Sequence, residues 1–144
     1  MRTIGLDLGD RRIGVAISDP QGLLAVPLTV VNNEGEDATI ANIVKLAEQY
    51  EAEWVVIGLP YSLNGSLGQQ ASKVTTFAKN LSQHTRAKIQ LWDERLSTKA
   101  ADRLMSEAGT KRNKRKQHRD ALAAAFILQG FLDSLREGEQ CRDT

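Results

Sequence analysis

Three acidic residues give this chain the means for metal-dependent chemistry: Asp7, Glu94 and Asp120. Asp7 lies in the run GLDLG, Glu94 lies in the triplet DER, and Asp120 stands on a helical apolar pattern. Oxygen ligands without histidine or cysteine fit Mg²⁺ or Mn²⁺ better than zinc. Clustered carboxylates of this kind predict a two-metal nuclease, in which one ion activates water and the other stabilises the leaving oxygen of a phosphodiester.

A basic segment comes directly before Asp120. Residues 111–119 hold no acid and six bases, which are Lys111, Arg112, Lys114, Arg115, Lys116 and Arg119. The whole chain of 144 residues has a net charge of +1, which taken alone argues against a nucleic-acid binder. Without those six bases, the remaining 13 basic and 18 acidic residues sum to −5. The segment therefore predicts phosphate binding beside the acids, and Arg12 and Arg95 are further candidate phosphate contacts.

The elements that must position these residues can be read from apolar periodicity. Residues 2–8 and 13–17 alternate in polarity across a tight turn, which predicts a hairpin. Pro27 within the next run, 23–31, predicts an edge strand or a bulge. The pattern then predicts a helix over 37–51, a buried strand over 54–57, a helix around 71–81, a strand over 88–92, a helix capped by Ser97, and a last helix from about His118 to Arg136.

This order of elements predicts an α/β fold, a mixed sheet with helices on its faces and the first, fourth and fifth strands parallel in the middle. Sites in such sheets lie beyond the carboxyl ends of the strands, where Asp7 and Glu94 fall. Asp120 is expected to open the last helix on its buried stripe, where an ionised carboxylate needs a partner. We expect a single domain over 1–136 and a flexible polar tail over 137–144.

Each of these features also has a purely structural interpretation. Glu94 could pair with Arg95, Asp120 could cap a helix, and the basic segment could be a solvated loop. Gly5 and Gly9 are interpreted as glycines that admit a sugar-phosphate backbone. Two other functions stay open: a non-catalytic RNA-binding adaptor with vestigial acids, and an ATP-handling protein. The second needs two lobes around the nucleotide, and 144 residues leave room for one.

Four stretches together resemble the YqgF family (RuvX-like) of the RNase H-like superfamily. They are GLDLGDRRIGVAISD (5–19), VVIGLPYSLNGSLG (55–68), DERLSTKAADRLM (93–105) and RKQHRDALAAAFILQ (115–129). The resemblance implies an RNase H-like fold with a five-stranded mixed sheet of order 3-2-1-4-5. It also implies a cytoplasmic nuclease that matures the 5′ end of 16S rRNA from its precursor. The family's motif acids fall on Asp7, Glu94 and Asp120.

The chain departs from the family pattern in two places, with Asp10 after the second glycine and with His118 and Arg119 before the helix acid. The resemblance to the RNase H-like superfamily also bears on the alternative of a Holliday-junction-resolvase-like nuclease, because junction resolvases of that group carry an acid at the end of the fourth strand. Residues 58–60 of this chain hold no acid, which disfavours that alternative. We expect Mg²⁺ or Mn²⁺ as cofactor and RNA as partner (precursor rRNA on the ribosome), with structured DNA as the alternative. Because acids interrupt the N-terminal apolar run, nothing suggests export, and we expect a cytoplasmic protein without membrane contact. We also expect a monomer or weak homodimer.

Overall fold

The computed structural model describes residues 2–60, 68–93 and 115–142, and within the last of these ranges it describes the side chains of residues 119–136. Five strands and three helices lie in these ranges. In chain order they are β1 (Arg2–Leu8), β2 (Arg12–Ser18), β3 (Ala25–Asn32), α1 (Glu36–Gln49), β4 (Ala52–Leu59), α2 (Gln69–Ser82), β5 (Lys88–Asp93) and α3 (Arg115–Arg142). The helix predicted after Ser97 lies outside the described residues.

The five strands form one sheet of order β3-β2-β1-β4-β5, which confirms the expected architecture. β2 pairs antiparallel with β1 and β3, while β1, β4 and β5 run parallel. The middle position that the order of elements alone predicted for the fifth strand is wrong, because β5 ends the sheet, as the order implied by the family resemblance has it. β3 ends the order on the other side, and its register shifts next to Pro27, opposite Val15 and Ala16, as expected of proline in an edge strand.

The sheet has a core on each face because its inner strands alternate apolar side chains between both sides. Ile4 and Leu6 of β1 belong to the core that α1 and α2 cover. The other core contains Ala16 of β2, Val56 of β4 and the apolar stripe of α3. The residues of β1 and β2 that point away from α1 and α2 therefore face α3.

Helix α3 begins three residues earlier than expected, at Arg115, so Asp120 is its sixth residue and does not open it. Arginine, lysine and glutamine are good helix formers, so the end of the basic segment continues the helix instead of forming a loop. The helix also extends past Arg136 to Arg142, into the segment expected as a tail. The division into one domain and a flexible tail stays a prediction. No helix in the described ranges is long and apolar enough to cross a membrane.

The loop between β2 and β3 is held by Asp19. The backbone N–H of Leu23 donates to Oδ1 of Asp19 at 2.7 Å, and the backbone N–H of Gly22 donates to the carbonyl of Asp19 at 3.0 Å. Gln129 of α3 clamps the same loop, accepting from the N–H of Ala25 at 2.9 Å and donating to the carbonyl of Leu23 at 3.0 Å. The Leu23 hydrogen bond lowers the pKa of the Asp19 carboxyl below its ordinary 3.8.

We expect the contribution of Asp19 to stability to depend on pH. Since folding lowers the pKa of Asp19, its ionised form stabilises the folded chain fully above pH 3.8, and the effect is lost as the pH falls through the lower folded value. Urea unfolding of wild type and Asp19→Asn at several pH values measures this. The wild type should be the more stable near pH 6, and the difference should shrink below pH 3.8. A difference that is constant across this range would contradict the assignment.

Candidate active site

Helix α3 lies directly on β1 and β2 because two glycines leave room for its backbone. A Cβ atom on Gly14 would lie 1.8 Å from the carbonyl oxygen of Asp120, and a Cβ atom on Gly5 would lie 2.9 Å from the carbonyl oxygen of Ala124. A Cβ atom on Gly9 would lie 2.5 Å from the carbonyl oxygen of Arg12, within their own turn. The expected role of Gly5 and Gly9, admitting a sugar-phosphate backbone, is therefore wrong. Gly5 admits α3, and Gly9 closes the β1–β2 turn.

The same contact brings two of the three predicted acids together. Asp7 is the cross-strand partner of Gly14, and such partners present their side chains on the same face of a sheet. Since the Cβ direction of Gly14 meets the backbone of Asp120, Asp7 also faces α3. Asp7 and Asp120 are both immediate neighbours of Gly14. The carboxyl end of β1 and the sixth residue of α3 thus lie on either side of Gly14.

Asp120 is half-buried and has an arginine beside it. Nε of Arg12 lies 3.1 Å from Oδ2 of Asp120, with 37% of the arginine side chain and 30% of the aspartate side chain exposed. That oxygen has no solvent contact, and among the described residues it has no hydrogen-bond partner. The two groups are close enough to form an ion pair, but the Nε–H group of Arg12 is not aligned with Oδ2 of Asp120 as a hydrogen bond requires. The carboxylate is therefore balanced in charge and keeps an unsatisfied buried acceptor.

The donors that the structure brings together fit a hard divalent cation. Mg²⁺ and Mn²⁺ take carboxylate oxygens and keep waters in their remaining positions. Asp7 and Asp120 supply two carboxylates, and the unsatisfied Oδ2 of Asp120 is an acceptor that a cation would satisfy. Within residues 2–60, 68–93 and 115–142, no three acids, histidines or cysteines cluster as a metal site. The third predicted ligand, Glu94, lies outside those residues.

The strand that leads to Glu94 ends at the same edge of the sheet. β5 ends at Asp93, which is paired with Leu59, the last residue of β4. β4 in turn runs parallel beside β1, which carries Asp7. β5 therefore ends at the carboxyl edge of the parallel strands, where sites lie in sheets of this topology.

The predicted phosphate contacts are spread over several parts of the chain. Arg12 lies in the site, paired with Asp120, and Arg119 is exposed on α3 one position before it. Arg115 and Lys116 are the first two residues of α3. Four others, Arg95, Lys111, Arg112 and Lys114, lie outside the described residues. All eight phosphate contacts stay predictions.

Sequence reasoning missed the importance of Gly14 and the Arg12–Asp120 pair. A glycine within a strand often marks close approach of another backbone, so Gly14 carried a local signal. The ion pair had none, because its partners are far apart in the chain. A cavity of about 270 Å³ on the opposite face of the sheet was also missed. Asp10, Glu36, Lys73 and Phe77 are among its lining residues.

One family model and several relatives that match nearly the whole chain carry nuclease descriptions. A family model described as "RuvX: Holliday junction resolvase" matches residues 1–134. A protein of Clostridium botulinum (strain Hall) named "Putative pre-16S rRNA nuclease" is 47% identical over 135 residues, which cover 94% of this chain and 98% of that protein. A protein of Clostridium novyi with the same name is 45% identical over 135 residues, covering 94% of this chain and all of that protein.

Two solved structures show that the fold is RNase H-like. RuvC of T. thermophilus in complex with a Holliday junction substrate has a TM-score of 0.67 and 18% identity, and 96% of each chain is covered. The Fowlpox virus resolvase in complex with Holliday junction DNA has a TM-score of 0.58 and 13% identity, covering 94% of this chain and 99% of that one. At these identities the likeness concerns the fold and not the substrate.

We expect Gly14→Ala to destabilise the protein, because its Cβ atom would overlap the backbone of Asp120 and force α3 away from β2. Overpacking of this kind costs about 1–3 kcal/mol of unfolding free energy. Gly68→Ala is the matched control, since a Cβ atom there meets nothing within 4 Å. Its cost should stay below about 1 kcal/mol, the effect of replacing a glycine before a helix. Equal losses in urea unfolding would contradict the close contact.

Proposed function

Since this chain belongs to the RuvX family and is a nuclease of RNase H-like fold, we propose that it is a metal-dependent endonuclease of precursor ribosomal RNA. It hydrolyses a phosphodiester with Mg²⁺ or Mn²⁺ and matures the 5′ end of 16S rRNA in the cytoplasm. The observation that carries the proposal is the position of Asp7 and of the Asp120 backbone next to the same glycine, Gly14, with a buried Asp120 oxygen that has no hydrogen-bond partner among the described residues.

The acids have the role of holding the cations against the substrate. Bound divalent ions supply an activated water and neutralise charge on the leaving oxygen. Asp7 from β1, Asp120 from α3 and Glu94 are the residues that would hold the divalent ions. β1 and α3 are rigid elements, so Asp7 and Asp120 are oriented before substrate arrives.

The basic residues hold the RNA backbone. Arg115 and Lys116 occupy the first turn of α3, which contains no acid. Positive side chains at a helix N-terminus oppose the helix dipole, so a bound phosphate there relieves that repulsion as well as pairing with the charges. Arg119 is exposed one position before Asp120. These basic residues support the proposal of sequence-independent phosphate binding near the proposed cation ligands.

Support for RNA as substrate comes from the relatives that match nearly the whole chain and are named for pre-16S rRNA. The family description, which names a Holliday junction resolvase, favours a second candidate with four-way junction DNA as substrate. The two candidates share the same acids and the same chemistry. They differ in the nucleic acid that the basic surface accepts.

The test is incubation of the protein with precursor 16S rRNA and Mn²⁺, followed by mapping of new 5′ ends. We expect Asp7→Asn and Glu94→Gln to lose activity while RNA binding persists. Mutation of residues that merely support metal ligands lowers metal affinity or activity by about 10–100-fold. Mutation of a ligand itself should therefore lower the cleavage rate by at least about 100-fold. Asp10→Asn is the matched control because Asp10 lines the cavity on the opposite face of the sheet. It should cleave like wild type.

Two results would overturn the proposal. Cleavage by Asp7→Asn at the wild-type rate would remove the acids from the mechanism. In a parallel incubation, cleavage of a four-way DNA junction without cleavage of precursor rRNA would reject RNA as the substrate and favour the resolvase candidate.

A further inference from the structure

Arg12 lies in the space that a cation bound to Asp120 would need. Its Nε atom is 3.1 Å from Oδ2 of Asp120, the same oxygen that is buried and lacks a hydrogen-bond partner among the described residues. A guanidinium keeps its positive charge at any ordinary pH. Arg12 therefore supplies the positive charge at this oxygen, but not a good hydrogen bond to it.

The position of Arg12 is fixed by its backbone. It begins β2 two residues before Gly14, so both face α3. The N–H of Gly9 donates to the carbonyl of Arg12 at 3.0 Å, and the N–H of Asn33 donates to the carbonyl of Arg11 at 2.9 Å. The side chain thus starts from a closed turn, next to the end of β1. Only the flexible aliphatic part of the Arg12 side chain has to move for the guanidinium to leave Asp120.

A divalent cation and a guanidinium cannot share one carboxylate oxygen without strong repulsion. Two positive charges a few ångströms apart repel each other near a protein surface, and the double charge of the cation doubles that repulsion. The partly exposed ion pair of Arg12 and Asp120 is the weaker contact and changes a binding constant by about fivefold or less. The cation should therefore displace Arg12.

We propose that Arg12 is a positioning residue that takes the place of the divalent cation at Asp120 and moves to a substrate phosphate when the cation binds. This inference rests on the proposed metal-dependent function. In the absence of the cation, Arg12 balances Asp120, whose carboxylate would otherwise stand unpaired beside Asp7. Once released, its planar guanidinium would be free to donate two parallel hydrogen bonds to the oxygens of a substrate phosphate.

Release of Arg12 couples the cation to the RNA. If cation binding frees a phosphate contact, then RNA binding must tighten cation binding by the same factor, because the linkage is reciprocal. Arg12 would favour assembly of the active site only when both the cation and the RNA are present. It would also keep Asp120 in a fixed orientation when neither is bound.

The test is a titration with Mn²⁺ alone, using electron paramagnetic resonance to measure the free ion. Arg12→Gln should bind Mn²⁺ about two- to fivefold more tightly than wild type, the factor that a partly exposed ion pair contributes. Arg11→Gln is the matched control, since it removes the same charge from an exposed neighbour and corrects for long-range repulsion. Arg12→Lys should fall between wild type and Arg12→Gln. A merely structural arginine would not raise the affinity on removal.

Equal or weaker Mn²⁺ binding by Arg12→Gln, with wild type binding Mn²⁺, would overturn this inference and leave the proposed function intact. No Mn²⁺ binding by any variant would overturn both. A measurement on the unmutated protein guards against a variant that fails to fold. The Arg12 Nε–H resonance should shift as Mg²⁺ is added, and a resonance that stays unchanged while the Asp120 amide responds would reject the displacement.

Discussion

The contact between the backbone of α3 and Gly14 determines the geometry of the whole site. With a carbonyl oxygen of α3 at the position a side chain would occupy, no residue larger than glycine fits there. This contact fixes the depth of α3 on the sheet and, with Gly5 at the next contact along the helix, its direction. Asp120 meets Asp7 as a consequence. The pair of acids therefore results from helix packing and not from a local motif.

Acidic and basic side chains lie close to one another in the candidate site. Asp7 and Asp120 are like charges on neighbouring elements, with Arg12 against one of them and Arg119 beside it. Such an arrangement suits a site whose charge is completed by cations and phosphates. It also explains why the net charge of +1 is uninformative, since the acids and the basic segment cancel in the sum.

The sequence was sufficient for those features that depend on local periodicity. Alternation predicted β1 and β2, and Pro27 predicted the irregular edge strand. Helical spacing predicted that Asp120 lies on the buried stripe of the last helix, where the structure shows it half-buried. The sequence was insufficient where a contact joins distant segments. The neighbours of Gly5 predict that it admits a sugar-phosphate backbone, although it lies against the distant Ala124. The apolar stripe predicts a start of α3 near His118, but the helix begins at Arg115 because arginine and lysine are good helix formers.

The meeting of Asp7 and Asp120 as a divalent-cation site is the central claim, and paramagnetic broadening by Mn²⁺ tests it most directly. The measurement follows backbone amide resonances at low Mn²⁺, and it detects weak binding without substrate. The account predicts that the amides of Asp7, Gly14 and Asp120 broaden first. Broadening centred instead on Asp10 and Glu36, in the cavity on the opposite face, would contradict it.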